Sequence, residues 1–333
     1  MNDTHPPHAT PHATPHAGLP AIEWPTLGIL GASYALWALG TTLAYGLAPL
    51  LGILLTGIAI AQFSSCQHEV LHGHPFRARR LNEALVWPAL TLTVPYGRFR
   101  DTHLAHHHDP ALTDPYDDPE SNYLDPAAWA RLPGWARALF RANNTLLGRI
   151  VIGPILGNAL WLQSEWRLVR AGGAAGGGAV RRDWALQLAG LVPVIGWLWW
   201  AEMPWWGYLA AAWVGHGLLR IRTFLEHRAH EAARARTVII EDRGPLSVLF
   251  LNNNFHAVHH MHPAVPWYRL PAVYRANRAH YLRRNEGYRY SSYAEVLGRF
   301  LIRAKDPVAH PLWPWPGSSG DPQRKHGGTD PAA

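Results

Sequence analysis

Uncharged apolar runs alternate with Arg-rich polar stretches along this chain, and the runs come in pairs. A helix that crosses a bilayer needs about 20 mostly apolar residues. Residues 27–46 form one such run and residues 47–63 a second, neither with a charge. Pro49 sits where a new helix starts, so the two predict a tight helical hairpin. Residues 184–201 and 205–224 form a second pair, separated by a link too short to do anything but turn. Trp197, Trp199, Trp200, Trp205 and Trp206 crowd that turn, as an aromatic belt at one membrane interface would. Arg220 and Arg222, near the other end of the fourth run, can reach toward the opposite interface. Two further apolar stretches fit spans less well. Residues 85–96 are short and carry Pro88 and Pro95, which suits an interfacial or re-entrant element. Residues 146–162 are long enough but contain Arg149, Pro154 and Asn158.

Arg placement sets the orientation. Arg77, Arg79 and Arg80 follow the second run, Arg167, Arg170, Arg181 and Arg182 precede the third, and Arg228, Arg234 and Arg236 follow the fourth. The positive-inside rule places all of them, and both termini, on the cytoplasmic side. The ends differ in kind from the middle. Residues 1–22 hold a PHAT-type repeat with His5, His8, His12 and His16, and Pro at that period blocks a helix. Residues 311–333 are rich in Pro, Gly and polar groups. The expected organisation is a disordered tail (1–22), a membrane domain (23–310) and a flexible tail (311–333).

Composition sharpens this picture in three ways. Only 16% of residues are charged, with a net charge of +7, and the excess Arg lies at the flanks of the runs. That reads as topology and contact with anionic lipid, not as a nucleic-acid surface. A single Cys excludes a disulfide framework, a Cys-rich zinc module and a Cys-ligated iron–sulfur domain. His, at 21 residues, is the outlier.

Outside the tail the histidines cluster. His68 and His72 are spaced i, i+4. His103, His106 and His107 are spaced i, i+3, i+4, and His256, His259 and His260 repeat that spacing. Such positions share a helix face, so each group aims its imidazoles one way, as a metal requires. His68 lies five residues past the second run and His227 three past the fourth, which puts both at a similar height on the cytoplasmic side. If residues 146–162 crossed the bilayer, the first two groups would be parted from His227 and the third. The segment is therefore placed at the cytoplasmic interface. Nine imidazoles exceed what one tetrahedral zinc takes. They suit two metals with four or five nitrogens each and an open position, most economically two iron ions acting on dioxygen. Glu69, Asp101, Asp109 and Glu226 are candidate acceptors for ring N–H groups. His74, His108 and His262 flank the groups as packing or supporting residues, and Cys66 reads as helix packing.

These groups resemble the three histidine boxes of the membrane fatty acid desaturase and hydroxylase superfamily: HEVLH (68–72), HLAHH (103–107) and HAVHH (256–260). The segment RTFLEHR (222–228) is similar to the one that brings the family's extra ligand after the last span, here His227. The run HHMHPAVPWYRLP (259–271) resembles bacterial fatty acid desaturases and also carotenoid ketolases. Over roughly residues 27–300, the resemblance implies an all-α membrane fold. Four transmembrane helices in two hairpins would carry a cytoplasmic helical cap holding a His-ligated di-iron centre. It also implies C–H activation on a lipid chain in a bacterial inner membrane. Where some relatives carry an Asn four residues before the extra His, this chain has Thr223.

The expected activity is O2-dependent desaturation of a fatty acyl substrate. Hydroxylation, carotenoid ketolation and oxidative decarboxylation begin with the same hydrogen abstraction and are the alternatives. Electrons must come from a separate carrier such as ferredoxin, for which a basic face is suited. The non-enzyme alternative is a membrane metal-binding or transport protein, although the histidines lie outside the runs and not at their midpoints.

Overall fold

A computed structural model describes residues 21–107, 111–172 and 177–314. His5, His8, His12, His16, His108 and Asp109, with most of the two expected tails, lie outside the described residues. The described chain is mostly helical. Helix α1 (Trp24–Leu39) runs through a π-turn (Gly40–Ala44) into a last short turn, Tyr45–Leu47. Ala48 is extended and Pro49 opens α2 (Pro49–Leu71). The expected hairpin is present, and α2 continues past the apolar run so that His68 rides on its last turns. Among the described residues two stretches, Trp24–Leu47 and Pro49–Leu71, are long and apolar enough to cross a membrane. The third and fourth runs are also helices, α6 (Gly177–Trp200) and α7 (Trp205–Thr223).

The two hairpins pack through α2 and α7. A Cβ added at Gly215 would lie 2.8 Å from the Gly57 carbonyl oxygen, so these two backbones approach as closely as glycine permits. Phe63, Ile60, Tyr208, Ala211 and Leu30 fill the surrounding core. Residues 86–95, between a short helix ending at Leu85 and the start of α3 (Tyr96–His106), have no regular structure. Side chains satisfy carbonyls from Leu85 onward instead: Tyr34 Oη donates to Leu85 O, Tyr208 Oη to Leu90 O and Gln187 Nε2 to Leu92 O. Such irregular backbone is tolerated where protein supplies the partners. The 146–162 stretch is not one helix. It divides into α4 (Leu146–Val151) and α5 (Gly153–Ala171), and Arg98 on α3 makes a two-pronged bond to Glu165 on α5 at 2.9 Å each.

Beyond α7 the chain forms short helices around a separate core of Ile239, Phe255, Val258, Leu270, Tyr274 and Tyr281. Two two-residue strands, β1 (Ile239–Ile240) and β2 (Arg289–Tyr290), pair in parallel, Ile239 opposite Arg289. This pairing clamps the segment that carries α8 (His256–Met261), the third histidine helix.

Candidate metal centre

Four separate pieces of backbone deliver the imidazoles. His68 lies in the last turn of α2 and His72 is its C-terminal cap. His103 and His106 project from α3, with His107 as its cap. His256, His259 and His260 project from α8. Asn254 fixes the entry to α8 by donating to the carbonyls of Ile240 at 2.6 Å and Asp242 at 3.1 Å. His227 follows α7 in an extended stretch bridged to Thr237, and Lys305 donates to its carbonyl.

The imidazoles converge as two groups. His68, His72, His103 and His259 form one, and His106, His227, His256 and His260 the other; within each, one ligand atom per residue lies within 4.8 Å of the rest. His107 sits between them, its Nε2 3.0 Å from His103 Nε2 and its ring stacked on His260 at 4.3 Å. All nine expected histidines are therefore in one place. In the second group His227 Nε2 is 2.8 Å from His106 Nε2 and 3.1 Å from His256 Nε2. In the first, the buried Nε2 atoms of His68, His72 and His259 have no hydrogen-bond partner among the described residues. Buried polar nitrogens left without a partner are costly. Here they face one another, which is what a bound cation would relieve.

The opposite edges of several rings are held by acceptors. His106 Nδ1 donates to Asp118 at 2.7 Å, and His103 Nδ1 to Glu120 at 2.9 Å. His256 Nδ1 donates to Asn253 Oδ1 at 3.0 Å; Asn253 in turn donates to Glu226, which is ion-paired with Arg222 at 3.1 Å. Fixing the proton on Nδ1 leaves the Nε2 lone pair for a metal. Burial, then the neighbouring imidazoles, holds His72, His227, His256, His259 and His260 well below the ordinary imidazole range. These rings are neutral ligands at pH 7. Burial acts the same way on His106, but Glu120 and Asp118 outweigh it and push His106 up to about 9. The field that holds a proton there also favours a cation. Desolvation raises Glu120, but His103 and His106 outweigh it and hold it below the usual carboxylate range.

The expected acceptors fare unevenly. Glu226 supports His256 through Asn253. Glu69 Oε1 is 3.9 Å from His68 Nδ1, and its other oxygen accepts from the Trp267 amide at 3.0 Å. Asp101 turns away to Arg100 at 2.8 Å and serves no imidazole. Asp118 and Glu120 were not anticipated; the acid-rich run DPYDDPE (114–120) was the available signal. Of the flanking histidines, His74 pairs with Glu23 at 2.7 Å and His262 with the Tyr281 hydroxyl at 3.0 Å. Thr223 has a buried hydroxyl without a partner among the described residues. Two sets of four imidazoles, backed by acids, fit a pair of transition-metal ions such as iron.

The family model for fatty acid desaturases matches residues 40–292, a span that contains all nine histidines. A search of curated proteins finds no match.

Proposed function

Because the chain belongs to the fatty acid desaturase family, we propose that it is an O2-dependent acyl-lipid desaturase with a His-ligated di-iron centre. Convergence of two four-imidazole groups from four separate backbone segments carries this reading. Iron bound there would supply reductive activation of O2 and hydrogen abstraction from an unactivated CH2. The overall reaction takes a –CH2–CH2– unit, O2, two electrons and two protons to a double bond and two waters. His68, His72, His103 and His259 would hold one ion, and His106, His227, His256 and His260 the other. Asp118, Glu120 and Asn253 keep the protons of His106, His103 and His256 on Nδ1 and fix the ring planes.

Four spans are proposed: α1, α2, α6 and α7. Trp199 and Trp205, 85% and 72% exposed at the second hairpin's turn, support a membrane interface there. The histidine groups and the short helices after α7 would then form a cytoplasmic cap at a bacterial inner membrane. A separate acidic electron carrier such as a ferredoxin is proposed as partner, drawn by the Arg-rich flanks.

Purified protein should hold about two irons per chain, with reductant-dependent O2 uptake, as two ligand sets require. Cells expressing it should accumulate unsaturated acyl chains by mass spectrometry. An oxygenated or one-carbon-shorter product would replace the desaturase reading with a hydroxylase, ketolase or decarboxylase. One zinc or no metal, without O2 uptake, would reject the enzyme.

A further inference from the structure

Two arginines near the metal centre have no carboxylate within ion-pair distance among the described residues. Arg149 on α4 is buried; its Nη1 donates to Asn122 Oδ1 at 2.5 Å, and its Nε has no partner among the described residues. Arg220, on the last turns of α7, makes no hydrogen bond and no ion pair among the described residues. Its guanidinium lies over the start of α5, where a Cβ on Gly157 would come within 2.2 Å of Nη2. The backbones of α4 and α7 meet beside both side chains, since a Cβ on Gly217 would lie 2.7 Å from Ile150 O, and burial with the Arg220 charge draws Arg149 down to about 10. Asn143 Oδ1, next to the same stretch of Arg220, is buried without a partner. His216, one turn before Arg220, extends the polar seam, with Nε2 3.1 Å from Thr91 O and Nδ1 3.2 Å from Asn158 Nδ2.

Two like charges brought together in a low-dielectric interior are strongly unfavourable unless an anion joins them. Ionisable groups inside a membrane domain mark substrate paths by default. Guanidinium forks match carboxylate and phosphate oxygens in pairs. The seam also adjoins the metal centre, because Asn122, which accepts from Arg149, lies two residues past Glu120, which accepts from His103 Nδ1.

We propose that Arg149 and Arg220 together bind the anionic head group, a carboxylate or a phosphate, of the amphiphile whose chain is presented to the histidine groups. The inference rests on the proposed function for the fate of that chain, but not for binding of the anion. With the head group anchored beside the metals, the carbon attacked is counted from the head-group end, whatever the chain length.

The test uses the full chain in an uncharged detergent and titrates laurate, dodecyl phosphate and methyl laurate by calorimetry. At least one charged ligand should bind about ten-fold or more tightly than the neutral ester, as charge-assisted bonding requires. The head group that binds better identifies the source, a free acyl carboxylate or a lipid phosphate. Arg149→Gln and Arg220→Gln should erase the preference. Arg220→Lys and Gly157→Ala, which keep both charges but disturb the fork, should reduce it. The last two decide the matter where a Gln variant misfolds. Equal affinity for ester and anions, or an unchanged preference in the folded variants, overturns the proposal. Iron content measured on the same samples separates the readings. Iron loaded without anion preference removes only this inference, whereas anion preference without iron removes only the di-iron reading.

Discussion

Replacing Asp118 by Asn removes one negative charge from behind His106 while keeping the side chain's shape. The bond it alters is short, 2.7 Å, and both side chains are almost wholly buried, at 1% and 2% exposure, so solvent offers no substitute. A hydrogen bond to a charged partner contributes about 1.5–3 kcal/mol. At about 1.4 kcal/mol per decade, that is roughly 10- to 150-fold in affinity. Loss of a supporting acceptor behind a metal-bound His typically costs about 10- to 100-fold, which agrees. The Asn carbonyl can still accept from Nδ1, which puts the expected loss toward the lower end, about ten- to thirty-fold. Asp118 also accepts from the Thr113 amide at 2.8 Å, and an unmet amide costs about 1–3 kcal/mol of stability, so melting must be followed separately. Anaerobic dialysis against graded ferrous chelator reads the affinity. Half the iron should leave the variant early, because only the second group contains His106. Asp101→Asn is the control, since Asp101 pairs with Arg100 and no imidazole. Equal iron affinity in wild type and Asp118→Asn, or equal losses in both variants, would refute the assignment.

His259→Ala should abolish loading of the first group with membrane insertion intact, whereas His8→Ala should leave iron content unchanged; metal analysis of membrane extracts checks both. Gly215→Ala sets a methyl against the Gly57 carbonyl, which cannot swing aside, and should cost about 1–3 kcal/mol, read as a lower melting temperature in detergent. Metal-free protein should lose stability as pH falls from 7 to 5. His72, His227, His256, His259 and His260 have lowered pKa values, so the unfolded chain takes up protons that the folded chain refuses. His106, raised to about 9, acts oppositely: its contribution is complete below its unfolded value and fades as pH rises through 9. A melting temperature highest at pH 5 would contradict the sign of the five lowered groups.

The histidine groups were legible because their information is local. Spacings of three and four residues decide which imidazoles share a helix face, whatever the rest of the chain does. The first hairpin was legible for the same reason, from uninterrupted apolar length. Their partners are another matter. Asp118 stands 12 residues from His106 and Glu120 17 from His103, so which acid meets which ring depends on how the chain returns to α3. Asp101 was the natural choice by proximity, but its helical position turns it to Arg100. The β1–β2 pairing joins residues 50 apart through two-residue strands, too short for any alternation to be read. The arginine pair is invisible for a further reason: Arg149 and Arg220 each look like an ordinary interfacial cation until the packing of α4, α5 and α7 brings them together.

The two histidine groups are related in a way that isolates Thr223. His103 and His256, the first residues of the second and third boxes, go to opposite groups, and so do His106 and His259. The last residues, His107 and His260, stack on each other. His107 Nε2 lies 3.0 Å from His103 Nε2, and His260 Nε2 lies 3.2 Å from His256 Nε2. The boxes thus follow an approximate exchange of the two groups. Under it, His68 and His72 correspond to Thr223 and His227, both pairs spaced four residues apart. Three of these four positions carry an imidazole, and the fourth is a buried, unpartnered hydroxyl. Thr223 is thus the one position of this relation that carries no imidazole. Thr223→Asn places a carbonyl donor there and should tighten iron held by the second group, about two- to ten-fold for one added polar contact. Thr223→Val keeps the shape without an oxygen and should leave that affinity unchanged. The chelator dialysis used for Asp118→Asn reads both. A loss of iron in Thr223→Val would mean that the hydroxyl already serves as a donor, and the exchange relation would then have no gap to explain.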